Sequence, residues 1–230
     1  MMTLALESAA AVASVALTED GRTLAELTLD NGNTHSETLL PMADMLFRLT
    51  GKTLADVDLY AASVGPGSFT GIRIGAATVK GLAFGSGKCC LGVSSLEALA
   101  YGLRGQDGLV CPVLNARRRQ VYTALFRSEG GRITRLTEDT VCMVDELDAR
   151  LADYAEPVLF AGDASRLAAE TVTHAVATVA APLLRASAAA VAYAAEAAYA
   201  GGARGTDATL SPVYLRPCQA ERERLEKLKD

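Results

Sequence analysis

At 230 residues the chain can hold one large domain or two small ones, and half of its residues are hydrophobic, enough for a core without disulfides or metal. Its net charge of −5 argues against a protein that grips nucleic acid unaided, because a phosphate backbone asks for a basic face. Five cysteines with no C-x-x-C pair, and two histidines at no recognised ligand spacing from a cysteine, argue against a disulfide framework and a metal site alike.

The N-terminus reads as antiparallel strands over residues 3–7, 11–17 and 22–29, with Asp20-Gly21 as a hairpin turn. A helix is expected over residues 35–50, ended by Gly51. Residues 57–64 form a buried strand, 70–84 a second helix, 89–93 a short strand, and 95–101 the start of a third helix. Residues 102–108 carry three glycines and mark a join. Beyond it comes a partial echo: strands over 109–114, 120–126, 132–136 and 158–160, and helices over 144–151 and 187–200. Residues 1–106 and 107–230 are therefore expected as two lobes. The tail from residue 220 reads as a solvated charged helix, with partner binding as the alternative. Adjacent Cys89 and Cys90 would face opposite sides of a strand, as small hydrophobes in a reducing compartment.

The apolar tract at residues 9–17 is not read as an export signal, since no Lys or Arg precedes Arg22. The tract at 175–200 is cut by Pro182, Arg185 and Glu196 and is too broken to span a membrane. A cytoplasmic location is expected.

The richest stretch is Ser63-Val64-Gly65-Pro66-Gly67-Ser68-Phe69-Thr70-Gly71-Ile72-Arg73-Ile74-Gly75. A strand feeds a glycine turn, which opens into a helix capped by Ser68 or Thr70. Such a helix N-terminus can hold an anion, and Gly65, Gly67, Ser68, Thr70 and Arg73 are the candidate nucleotide-binding set. The same glycines also suit a tight turn that lets a helix pack close to a sheet. The spacing is one residue longer than the dinucleotide fingerprint, and neither Gly51-Lys52-Thr53 nor Gly87-Lys88-Cys89 completes a phosphate loop.

The first helix is apolar on more than one stripe, and small residues line the second. Leu39, Ala43, Leu46, Phe47, Gly71, Ile72, Gly75, Ala76 and Val79 are taken as a partner interface, with burial in the chain's own core as the alternative. Arg117-Arg118-Arg119 is the one basic run, a solvated turn or an RNA clamp. Ser68 lies outside any G-x-S-x-G motif, and no nucleophilic triad stands out.

The stretch GPGSFTGIRIGAATVKGLAFG, with Gly92-Val93-Ser94-Ser95-Leu96-Glu97-Ala98-Leu99-Ala100, resembles the TsaB family, also called YeaZ. His35-Ser36-Glu37-Thr38-Leu39-Leu40-Pro41, Asn115-Ala116-Arg117-Arg118 with Val121-Tyr122, Ala161-Gly162-Asp163 and Pro212-Val213-Tyr214-Leu215-Arg216 extend the resemblance over nearly the whole chain. It implies a two-lobed α/β fold of the sugar kinase, actin and chaperone-ATPase (ASKHA) superfamily, each lobe a mixed sheet with flanking helices. It implies a non-catalytic scaffold in the machinery that makes threonylcarbamoyladenosine in tRNA. The implied partners are a TsaD-like catalytic subunit, a TsaE-like ATPase or a second copy of the chain, with tRNA held mainly through the complex. No intrinsic cofactor is implied beyond ATP or ADP at the partner boundary.

The chain departs from the pattern at telling places. The metal-binding histidines of the catalytic paralogue correspond to Ser95 and Leu99, and leucine cannot ligate a cation. Glu7 stands where an aspartate is usual, and Asn115 replaces another. A phosphoryl-transfer site needs acidic residues to place magnesium, so independent ATP hydrolysis is disfavoured. A degenerate ATPase or small-molecule kinase using residues 65–71 is the alternative.

Overall fold

The computed structural model describes residues 1–216; Cys218 and the charged tail from residue 220 lie outside them. The chain opens with β1 (Met2–Glu7), whose six residues are all buried. It pairs antiparallel with β2 (Ala13–Glu19), which pairs antiparallel with β3 (Arg22–Leu29). Asp20 and Gly21, at φ 50° and 77°, make the β2–β3 turn, and positive φ at both positions matches the right-handed twist of a hairpin. Next come α1 (His35–Thr50), β4 (Leu59–Gly65), α2 (Phe69–Ala83), β5 (Cys89–Ser94) and α3 (Ser95–Gly102). β4 lies parallel to β1 and β5 parallel to β4, giving the order β3-β2-β1-β4-β5.

The second lobe repeats this plan in reduced form. Its strands are β6 (Gly108–Asn115), β7 (Gln120–Thr123), β8 (Phe126–Glu129), β9 (Arg132–Arg135), β10 (Thr140–Met143) and β11 (Val158–Ala161). β7 and β8 pair with one edge of β6 in a single register, Val113 opposite Thr123 and Val110 opposite Phe126. They are one strand broken at Ala124-Leu125. β9 and β10 pair one step further out, and β11 lies parallel on the other edge of β6. The set β6, β7/β8, β9/β10, β11 thus corresponds to β1, β2, β3, β4. Among the described residues there is, in the place of β5, only a single parallel bridge, Val176 beside Val158 on the outer edge of β11. The helix expected over 144–151 is a 3-10 turn followed by α4 (Leu147–Leu151). β10 and α5 (Ser165–Thr171) were not anticipated.

Side-chain alternation assigns the two faces of the first sheet. Leu4, Leu6, Val15, Leu17 and Tyr60 pack with α1 and α2. Ala5, Leu59, Ala61 and Val93 pack with α6 (Ala188–Ala200). Small residues on that face let the alanine-rich α6 approach closely. The expected boundary therefore needs correction: α6 follows the second lobe in sequence but packs on β1, β2, β4, β5 and α3 of the first. Leu210 joins the first core, so the chain returns to the first lobe before residue 216.

Candidate functional site

A cleft of about 730 Å³ opens between the lobes. One wall is the glycine turn before α2. Gly65 and Gly67 have φ of 111° and 157°, and both sit against backbone: a Cβ on Gly65 would strike the carbonyl oxygen of Val213, and one on Gly67 that of Ala9. The Ser68 amide donates to the Ala9 carbonyl at 2.7 Å, and the Gly71 amide to the Ser68 hydroxyl at 3.2 Å. Ser68 is thus the cap of α2, and Thr70 is exposed on the cleft. These two amides, available to an anion in an open loop, are spent holding the loop to β1 and α2. The geometry favours the close-packing reading of the glycines over a phosphate cradle.

The segment 210–216 crosses the cleft as a strap. The Val213 amide donates to the Val64 carbonyl at 2.8 Å. Tyr214 stacks on Phe69 at 4.9 Å between centroids and accepts from Arg73 Nε at 2.6 Å, while the Arg73 guanidinium lies 3.8 Å over Phe69. On the other lobe, Arg216 donates to the Ala116 carbonyl at 3.2 Å and to Gln120 Oε1 at 2.6 Å. The sequence marks these residues only as a late, weak signature; their bridging role is visible in the fold alone.

Those last contacts meet the β6–β7 turn. Arg117, Arg118 and Arg119 have φ of 65°, 54° and 57°, three consecutive left-handed residues that are not glycine. Left-handed backbone costs an L-residue roughly 1–2 kcal/mol. The turn is pinned by the Arg117 amide on Asn115 Oδ1 at 2.7 Å, the Ala116 amide on the Gln120 carbonyl at 2.9 Å and the Val144 amide on the Arg119 carbonyl at 2.9 Å. Asn115 is therefore a turn-building residue, and its own amide donates to Asp163 at 2.8 Å.

Glu7 closes β1 and is fully buried. Its Oε1 accepts the Ala9 amide at 2.6 Å, and its Oε2 has no partner. Burial pushes this carboxyl up to about 7, against the opposing pull of the Ala9 amide. It does not line the cleft, where Asp163 is the sole carboxylate among the described residues. Magnesium–nucleotide chemistry does not fit this donor set: one acid is sealed away and its counterpart is an amide engaged in a turn. Ser95 and Leu99 are both buried. His35 Nε2 donates to the Ala10 carbonyl at 2.9 Å, and its buried Nδ1 has no partner among the described residues.

A family model described as "TsaD: tRNA N6-adenosine threonylcarbamoyltransferase" matches residues 30–211. The TsaB protein of Bacillus subtilis is 33% identical over 162 residues, 70% of this chain and 71% of that one. The chain belongs to the TsaB family. The solved structure of YeaZ, another name for TsaB, from Pseudomonas aeruginosa superposes with a TM-score of 0.81 at 29% identity, over 93% of this chain and 99% of that one. The ethanolamine utilization protein EutJ of Carboxydothermus hydrogenoformans shares the fold alone, with a TM-score of 0.55 at 14% identity over 84% and 90% of the two chains. The ASKHA-like architecture of two mixed-sheet lobes expected from the sequence is the observed one.

Membership in the TsaB family does not rescue the interface expected from the helix patterns. Leu39, Ala43, Leu46, Ile72, Ala76 and Val79 are at most 2% exposed, and the first four-residue spacing simply faces the chain's own sheet. Phe47 is half-buried against the same core. A Cβ on Gly71 would strike the carbonyl oxygen of Ser8, and one on Gly75 the Ser8 hydroxyl. These glycines serve close packing of α2 on the end of β1. The large apolar residues that α1 exposes are Leu40, Met45 and Leu49, with Phe84 at the end of α2. The sequence shows that α1 is apolar on more than one stripe, Leu40, Met45 and Leu49 included, but does not say which stripe its sheet takes. No helix among the described residues is long and apolar enough to cross a membrane.

Proposed function

We propose that this TsaB-family chain is a non-catalytic subunit of the assembly that places threonylcarbamoyl on N6 of the tRNA adenosine beside the anticodon. The observation that carries the non-catalytic part is Glu7, the acid at the head of the fold, buried without access to the cleft. A TsaD-like catalytic subunit docks on the outer side of α1 and the end of α2, where Leu40, Met45, Leu49 and Phe84 are 54%, 48%, 68% and 81% exposed. A TsaE-like ATPase completes the assembly, and a second copy of the chain occupies the same face when the partner is missing. ATP or ADP binds at the partner boundary, with the partner supplying the acidic groups that hold magnesium. The test is ATP hydrolysis by the purified chain with magnesium. No turnover above buffer is expected. Turnover that tracks the protein through purification and falls on changing Thr70 or Ser68 would support the degenerate ATPase instead.

A further inference from the structure

The cleft lip formed by the β6–β7 turn has a chemistry that the scaffold role does not use. Arg117 and Arg118 are exposed, and neither is ion-paired among the described residues, while Arg119 is held by Asp145 at 2.8 Å. Backbone strain at three successive residues is retained, although glycine there would remove it. Six hydrogen-bonding groups from β6, β7, the strap and residue 144 hold the turn in that shape. The turn's backbone is thus held in place, and it carries the two exposed guanidinium groups of Arg117 and Arg118 on a chain whose net charge is −5. Across the cleft stands an aromatic platform, Tyr214 on Phe69, with Tyr214 42% exposed. Tyr122 lines the cleft between the two.

We propose that this lip binds a single-stranded segment of RNA, with Arg117 and Arg118 on successive phosphates and Tyr214 as the surface on which a base stacks. Cationic groups beside exposed aromatic faces are the general means of holding unpaired nucleotides. An extended polyanion fits better than a free nucleotide for two reasons. The guanidinium groups lie on the exposed lip and not inside an enclosed pocket. Two amides at the start of α2 that would cradle a terminal phosphate are already spent on Ala9 and Ser68. An acidic protein would find the guanidinium row but would have no use for the aromatic platform. The proposal rests on the tRNA-modification reading, and narrows it by giving this chain its own contact with the nucleic acid.

The test uses the full chain and a labelled RNA hairpin with an unpaired loop, followed by fluorescence anisotropy over a salt series. The informative variant is Arg117→Gly with Arg118→Gly. Glycine takes left-handed backbone freely, so the variant loses charge without losing the turn, and its melting temperature should equal or exceed that of the native chain. Affinity for the hairpin should fall at least about tenfold, and the slope of log K against log salt should drop by about 1.4, roughly 0.7 for each phosphate contact on a single strand. Tyr214→Ala should weaken the looped hairpin and leave a fully paired duplex unaffected. Four results would overturn the proposal: no binding of the hairpin at low salt, unchanged binding by the glycine pair, equal binding of polyglutamate, or competition by free ATP at stoichiometric levels. Restoring a depleted cell with the glycine pair separates this claim from the wider reading. If depletion lowers the modification but the pair restores it fully, the RNA lip is wrong and the scaffold role stands.

Discussion

Glu7 and Asn115 stand at the same place in the two halves of the fold: each is the last residue of the strand, β1 or β6, around which its lobe is built. Neither presents a free carboxylate to the cleft between them. Glu7 is sealed beneath the glycine turn, and Asn115 is committed to the arginine turn. Both strand-end positions are thus structural in this chain.

Glu7 gives the stability of the chain a pH dependence of known sign. Its carboxyl is raised by burial from 4.5 to about 7. The folded state holds the proton more tightly, so the contribution is fully present below about pH 4.5 and is lost as pH rises through about 7. Glu7→Gln keeps an acceptor for the Ala9 amide and removes the buried charge. In urea unfolding the variant should match the native chain near pH 4.5 and exceed it at pH 8 by up to about 3 kcal/mol. Equal stability at both pH values would mean that Glu7 does not carry that charge.

Glycines within α2 should divide by what a methyl group would meet. Gly71→Ala places a Cβ against the Ser8 carbonyl, a backbone atom that cannot rotate away, and should cost about 1–3 kcal/mol or more. Gly81 has open space around its Cβ position, and Gly81→Ala should stabilise the helix by about 1 kcal/mol. Chemical denaturation of the two variants checks the pair, and a reversed order would contradict the packing of α2 on β1.

Inner and outer apolar residues of α1 should likewise behave differently. Leu46→Glu buries a charge in the first core and should unfold the chain, as should Ala76→Arg in α2. Leu49→Glu and Phe84→Glu alter exposed positions, so circular dichroism should be unchanged while association with the TsaD-like partner, or self-association, weakens. Size-exclusion chromatography with the partner reads the difference. Undiminished association of both outer variants would move the docking face elsewhere.

Much of the first lobe was legible because its signals are local. α1 ends at Gly51, whose φ of 66° suits a helix terminus, and Asp20-Gly21 gives the hairpin turn by composition. β10 and α5 were not legible, and length alone does not account for it, since β9 and β11 are as short as β10 and were read from the sequence. The helix faces were assigned outward when the sheet takes them, because apolar periodicity does not name the surface it meets. The arginine turn looked ordinary, as arginine carries no preference for left-handed backbone. The strap depends on contacts such as Arg73 with Tyr214, 141 residues apart, which no local pattern records.

The central claim, a non-catalytic subunit of the threonylcarbamoyladenosine machinery, is tested most directly by nucleoside mass spectrometry of bulk tRNA after depletion of this protein and restoration with Glu7→Gln. The account predicts that depletion lowers threonylcarbamoyladenosine in tRNAs that read codons beginning with adenosine, and that Glu7→Gln restores it to the native level, because the buried carboxylate does no chemistry. Unchanged modification after complete depletion would contradict the assignment, and loss of the modification with a folded, stably expressed Glu7→Gln protein would contradict the non-catalytic role.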